Sequence, residues 1–129
     1  MSIKSSLPDW LDRAIAALRE GDMAGWMSIY AADAVHEFPF AAEGAVRSLH
    51  GRNEIEAYMR PMSERMRFGP LTNIRRREVG DELIIEAVGH HRTIPDDLPR
   101  TLAYVWFITR QGDQVTHIRD YMHPLPSAS

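Results

Sequence analysis

Thr116-His117-Ile118-Arg119-Asp120-Tyr121-Met122-His123-Pro124 is the stretch on which the reading of this chain turns. Side chains alternate along a strand, so Ile118, Asp120 and Met122 fall on one face and His117, Arg119 and Tyr121 on the other. Just before it, Gln111-Gly112-Asp113 has the composition of a hairpin turn and joins the predicted strand 114–122 to another over 101–110. Within that neighbour, Val105-Trp106-Phe107-Ile108 is apolar on both faces, the pattern of a strand covered on both sides. Gly80-Asp81 joins two further strands, predicted over 71–79 and 82–90, in the same way. Residues 71–122 therefore read as a four-stranded antiparallel meander.

Upstream of Gly69-Pro70 the period changes from two to between three and four. Leu7, Trp10, Leu11, Ala14, Ile15 and Leu18 make one apolar stripe. Ser6 stands as the cap with Asp9 three residues on, and Pro8 is tolerated in the first turn. Asp22 begins a second helix expected to run to about Ala31, with Met23, Trp26, Met27 and Tyr30 on one side. A strand over 34–40 follows, with Pro39 at its end or at a bulge. Gly51-Arg52-Asn53-Glu54 opens a third helix with Ile55, Tyr58, Met59, Met62 and Met66 inward; Pro61 is expected to kink or restart it.

The order is helix, helix, strand, helix, then four strands. Three helices cannot cover both faces of such a sheet. A sheet that curls around them leaves a cavity on its inner side and an outer face suited to a homodimer contact. The expected fold class is α+β: three N-terminal helices packed in the concave face of a strongly curved, mostly antiparallel sheet, a cone-shaped α+β barrel. One domain over 1–129 is expected, with its core at about 7–124 and tails at 1–5 and 125–129.

Composition narrows the function. A formal charge of −3, with both signs interspersed, gives no footing for nucleic-acid binding. Zero cysteines exclude disulfides, thiolate catalysis and cysteine-ligated zinc. No apolar run reaches the roughly 18 residues that span a bilayer, and the first residues lack a signal-peptide core. A cytoplasmic protein is the plain expectation, without a membrane partner.

Four segments, in order, resemble the superfamily of SnoaL-like polyketide cyclases, ketosteroid isomerases and limonene-epoxide hydrolases, which shares the nuclear-transport-factor cone fold. They are Tyr30-Ala31-Ala32-Asp33-Ala34-Val35-His36-Glu37-Phe38-Pro39, His50-Gly51-Arg52-Asn53-Glu54-Ile55, the Gly112-Asp113-Gln114-Val115 turn, and Arg119-Asp120-Tyr121-Met122-His123-Pro124. The resemblance implies the fold far more specifically than an activity. In the epoxide hydrolases the aspartate matching Asp120 faces the pocket and positions water, and the cyclases also carry a catalytic aspartate in the late strands. The Arg-x-Asp triplet of the epoxide hydrolases is missing here, where the middle strand reads Glu86-Ala87-Val88-Gly89-His90-His91-Arg92. Alignment on the isomerases puts their base at Phe38, which cannot take a proton, so classical steroid isomerisation is not expected.

Four residues are the catalytic candidates. Asp120, an acid between two apolar neighbours on its face, is expected to be desolvated and hence a better base; the alternative is a structural carboxylate paired to an arginine. Glu37 faces the cavity in one phase of the strand 34–40 and His36, Phe38 and Phe40 face it in the other, with Glu37 inward favoured. His91 and His36 are the acid/base partners named, since neutral imidazole titrates near pH 7; only one of the adjacent His90 and His91 can face the cavity, and His117 reaches it if the last strand has the other phase. No spacing motif indicates a metal, and no phosphate loop, dinucleotide fingerprint or serine elbow is present. Arg75-Arg76-Arg77 alternates faces and reads as a solvated surface. The expected cavity wall comprises Trp26, Met27, Tyr30, Phe38, Met59, Met62, Trp106, Ile118 and Met122, a Met-rich lining that adapts to apolar ligands.

The expected activity is cofactor-independent acid/base chemistry on a small apolar organic molecule, of the isomerase, cyclase or hydratase kind. The alternatives are a non-catalytic binder of a small hydrophobic ligand, or a protein-interaction module that uses the outer sheet face.

Overall fold

A computed structural model describes residues 4–126. Helices α1 (Asp9–Arg19) and α2 (Met23–Met27) form a hairpin that leads into β1 (Tyr30–Glu37); β2 (Ser48–His50) and α3 (Arg52–Arg65) follow. The remainder is β3 (Met66–Arg67), β4 (Leu71–Val79), β5 (Glu82–Thr93), β6 (Pro99–Gln111) and β7 (Gln114–Leu125). The expected meander is β4 to β7. The sheet runs β2-β1-β7-β6-β5-β3, with β4 also paired to β5, and curls around the helices as a half-barrel. The α+β cone is the observed architecture.

The apolar stripe of α1 is buried as read, with Leu11, Ala14, Ile15 and Leu18 turned inward. Its cap differs. The helix begins at Asp9, and the Pro8 carbonyl, not the Ser6 side chain, takes the Leu11 and Asp12 N–H groups at 3.1 and 2.9 Å. Asp22 caps α2 as expected, accepting from the Gly25 N–H at 3.0 Å. That helix stops at Met27, well short of Ala31, because the next backbone joins the sheet: the Val115 N–H donates to the Ile29 carbonyl at 2.7 Å and Tyr30 pairs with Val115.

Helix α3 follows Gly51, whose φ of 88° is open to glycine at little cost. It runs through Pro61 without restarting, which leaves the kink of the two expected outcomes; the Arg60–Glu56 ion pair and a Ser63 hydroxyl bond to the Arg60 carbonyl at 2.8 Å flank that position. Only Ile55 of this helix is fully buried. Tyr58, Met59 and Met62 are half-buried because the face they present borders a cavity and not packed core.

The short strands β2 and β3 had no periodic signal to reveal them. The closing pairing is β1 with β7, and it is parallel: Val35 lies beside His117, His36 beside Ile118 and Glu37 beside Arg119. Two residues of the expected tails join the sheet, since Lys4 bridges to Arg76 and Leu125 pairs with Thr101. Residues 1–3 and 127–129 of those tails lie outside the described residues. No helix of the described residues is long and apolar enough to cross a membrane.

Candidate active site

The cone encloses a cavity of about 200 Å³, walled almost wholly by apolar side chains. Its chemistry comes from β6, β7 and β1. Tyr104, Trp106 and Ile108 stand on the inner face of β6, directly opposite Met122, Asp120 and Ile118 of β7. Asp120 is partly buried, with 12% of its side chain exposed.

Both oxygens of that carboxylate are held. The Trp106 indole N–H donates to Oδ1 at 3.0 Å, and His36 Nε2 lies 3.0 Å from Oδ2. On the other side of the imidazole, Nδ1 is 3.1 Å from the Tyr30 hydroxyl. Tyr30 is fully buried, and burial first, with the negative charge of Asp120 second, pushes its phenol far above the ordinary value. The phenol therefore keeps its proton and donates it to Nδ1, which leaves the His36 ring proton on Nε2 for Asp120. The order Tyr30 to His36 to Asp120, with Trp106 from the far side, fixes the carboxylate plane. Each oxygen keeps a lone pair for a molecule in the cavity.

A second relay stands beside the first. The Gly69 backbone N–H donates to His91 Nδ1 at 3.0 Å, and His91 Nε2 lies 2.8 Å from the Tyr104 hydroxyl. Burial chiefly, helped by the nearby charges of His90 and Arg100, lowers the His91 pKa to about 4. The ring is neutral near pH 7, and the Gly69 bond forces its proton onto Nε2, which donates to the Tyr104 oxygen. Burial and then Asp120 raise the Tyr104 phenol, which stays protonated. Its own proton has no acceptor among the described residues, so Tyr104 presents a free donor within the cavity wall. Tyr58, raised by burial and then by Asp120, borders the same space. The Trp26 indole N–H, also in a wall residue, lacks an acceptor as well.

Gly69 and Gly89 are needed for this arrangement. A Cβ at Gly69 would sit 1.8 Å from the His90 carbonyl oxygen, and one at Gly89 2.4 Å from His91 Nε2. Among the described residues no group of three or more histidines and acids converges as a metal site would.

The profile of the SnoaL-like domain matches residues 11–118. The chain belongs to the SnoaL-like family. A curated relative, the uncharacterized protein YesE of Bacillus subtilis (strain 168), is 26% identical over 117 residues, spanning 89% of this chain and 80% of its own. A crystal structure of a Bacillus subtilis protein provisionally named an isomerase superposes with a TM-score of 0.83 at 25% identity, covering 89% of this chain and 84% of that one. A Xanthomonas campestris pv. campestris protein provisionally named a polyketide cyclase gives 0.70 at 19%, covering 87% and 86%. A Catenulispora acidiphila DSM 44928 protein with a ketosteroid isomerase-like fold, solved with trimethylamine, gives 0.70 at 20%, covering 90% and 86%. The last two likenesses concern fold alone.

In this SnoaL-like cavity, Asp120, His36 and His91 all line the wall. So do Trp26, Phe38, Met59, Met62, Trp106, Ile118 and Met122. Glu37 does not. Its strand has the other phase, with Ala34, His36 and Phe38 buried, and Glu37 pairs with His117 on the outer face. The preference for Glu37 inward is thus corrected: the even-numbered set, through Ala34 and Phe38, buries more apolar area than Val35 alone, and burial of that area sets the phase. Phe40 itself falls beyond the strand and is 72% exposed. Met27 is in packed core at 1% exposure, and Tyr30 lies beneath His36, so neither touches the cavity. Tyr104 was missed, although it shares the inner face of its strand with Trp106. Period-two alternation was the signal that pointed to it.

Proposed function

We propose that this chain, acting as one domain, is a cofactor-independent acid/base enzyme that moves a proton next to the carbonyl of a small, largely apolar organic molecule. The observation that carries this reading is a largely shielded carboxylate, Asp120, held by Trp106 and His36 in a mostly apolar cavity that also holds the free Tyr104 donor. Asp120 takes the proton from the carbon beside the carbonyl. The C–H electron pair becomes the enolate π-bond, and the developing oxyanion accepts the Tyr104 hydrogen bond. Return of the proton to a second carbon completes an isomerisation; attack of the enolate carbon on an internal carbonyl, whose π-pair becomes an alkoxide that takes the proton back from Asp120, completes a cyclisation. A cavity of about 150 Å³ already accommodates benzene, so about 200 Å³ suits a body of one or two rings. No arginine pairs with Asp120 among the described residues, as a purely sequestering pocket with a neutralised acid would require.

The test uses 2-tetralone in deuterium oxide, with loss of its α-proton signals followed by NMR. The protein accelerates exchange, and Asp120→Asn removes roughly a hundredfold or more of the acceleration, the scale of a general base, while the circular dichroism spectrum is unchanged. Equal rates for the two proteins, or no acceleration by either, would overturn the reading.

A homodimer through the outer sheet face belongs to the same proposal. That face carries Phe107 with the Arg119 guanidinium 4.5 Å above its ring, Tyr121 edge-on to Phe107, and Phe40 edge-on to Tyr121. Clustered aromatic and arginine side chains are the composition of interface centres.

A further inference from the structure

Two formally charged side chains line the cavity, and they stand far apart. Asp120 is across from Trp106, well inside. Arg100 is exposed at the other end of the same β6 face, directly across from His91 of β5. Residues opposite one another in an antiparallel pair project to the same side, so Arg100 faces inward as His91 does. From Arg100 to Tyr104 the strand advances about 13 Å, and to Trp106 about 20 Å, at roughly 3.3 Å per residue. No ion pair or hydrogen bond of the described residues engages the Arg100 guanidinium, whereas the neighbouring Arg92 is tied to Asp97 at 2.5 Å. A cation is therefore free at the rim while the depth holds an anion.

We propose that the substrate carries a carboxylate at the end remote from its reacting carbonyl, and that Arg100 holds that carboxylate at the cavity mouth. The proposal rests on the cavity being the substrate site, and it adds the charge and orientation of the substrate. A free anionic end cannot enter first, because it would meet Asp120 in a medium of low dielectric, where like charges repel strongly. The apolar end enters, the carbonyl reaches Tyr104, and the carboxylate stays in water against a guanidinium whose fork matches it. Arg100 acts as a positioning and selecting residue and takes no part in proton transfer.

Calorimetric titration with 2-naphthoate and with its neutral isostere 2-naphthamide tests this, because binding is read without turnover. The protein binds naphthoate about tenfold more tightly than naphthamide, the scale of one partly exposed charge-assisted pair. Arg100→Gln abolishes the preference by weakening naphthoate alone, and Arg100→Lys restores part of it. Equal binding of the two probes, binding of neither, or a preference that survives Arg100→Gln overturns the proposal. Asp120→Asn, which removes most of the acceleration of 2-tetralone exchange, leaves naphthoate bound more tightly than naphthamide. Failure of the proton-transfer chemistry and failure of the carboxylate assignment are thus read in separate experiments.

Discussion

His36 Nε2 lies 3.0 Å from Asp120 Oδ2, although the two residues are 84 positions apart in the chain. The contact exists because β1 lies parallel to β7 with His36 beside Ile118, so that their inward side chains share one wall. It belongs to a largely buried polar chain in which every member has a partner, and such chains are sensitive to the loss of any one member.

Tyr30→Phe removes a single hydroxyl from the start of that chain and leaves His36 Nδ1 buried without a donor. The expected cost is about 1–3 kcal/mol of stability, seen as a lower urea midpoint at unchanged m-value. Exchange of 2-tetralone slows as well, since the His36 proton is no longer fixed on Nε2. A variant as stable as the parent would place the Tyr30 hydroxyl outside the network.

Glu37→Gln is the contrasting case. Glu37 and His117 form an outer-face pair with 39% and 43% of their side chains exposed, and exposed pairs contribute little. The midpoint shifts by less than about 1 kcal/mol, and exchange stays within about twofold of the parent. A loss comparable to that of Asp120→Asn would mean that Glu37 reaches the cavity after all.

His91 gives the protein a pH dependence of predictable sign. Unfolded, it takes up a proton near the ordinary value of 6.5; folded, only near about 4. Between those values the unfolded chain binds the extra proton, so stability rises with pH. This contribution is complete above about 6.5 and is lost as pH falls toward 4. Protonation also turns Nδ1 into a donor facing the Gly69 N–H. Thermal midpoints measured from pH 7.5 down to 4.5 should fall less steeply for His91→Asn, which keeps an acceptor near the Nδ1 position, than for the parent; parallel curves would count against the assignment.

Phe107→Asp addresses the outer face. Light scattering after size exclusion should give a dimer mass for the parent and a monomer mass for the variant, with exchange retained if each cavity works alone. A parent that is monomeric at tens of micromolar would remove the dimer from the proposal.

The fold was legible because its signals were local. Hairpin turns at Gly80-Asp81 and Gly112-Asp113, and the stripe on α1, each fix their own neighbourhood. Half of the site was legible for the same reason: Ile118, Asp120 and Met122 follow from alternation once the strand is found. The phase of β1 was harder. It depends on which of two short, mixed sets buries more apolar area, and Glu37 made the wrong set look functional. The end of α2 was hidden too, since Ile29 and Tyr30 are drawn into the sheet by Val115, far along the chain. Neither the Gly69–His91 bond nor the free Tyr104 proton can be read from spacing, because both depend on a backbone approach that only the folded sheet produces.

The parallel seam between β1 and β7 divides the site into a part assembled early and a part assembled late. Asp120 and Trp106 face one another across a hairpin closed by two residues, Gly112 and Asp113, a short and entropically cheap loop. His36 and the helical wall arrive only when the most distant strands meet, the slow kind of contact. A chain with the meander formed but the seam open would carry the acid and its indole partner without the imidazole or a dry cavity. Under the proposed chemistry, turnover would therefore report directly on whether the two ends of the fold have joined.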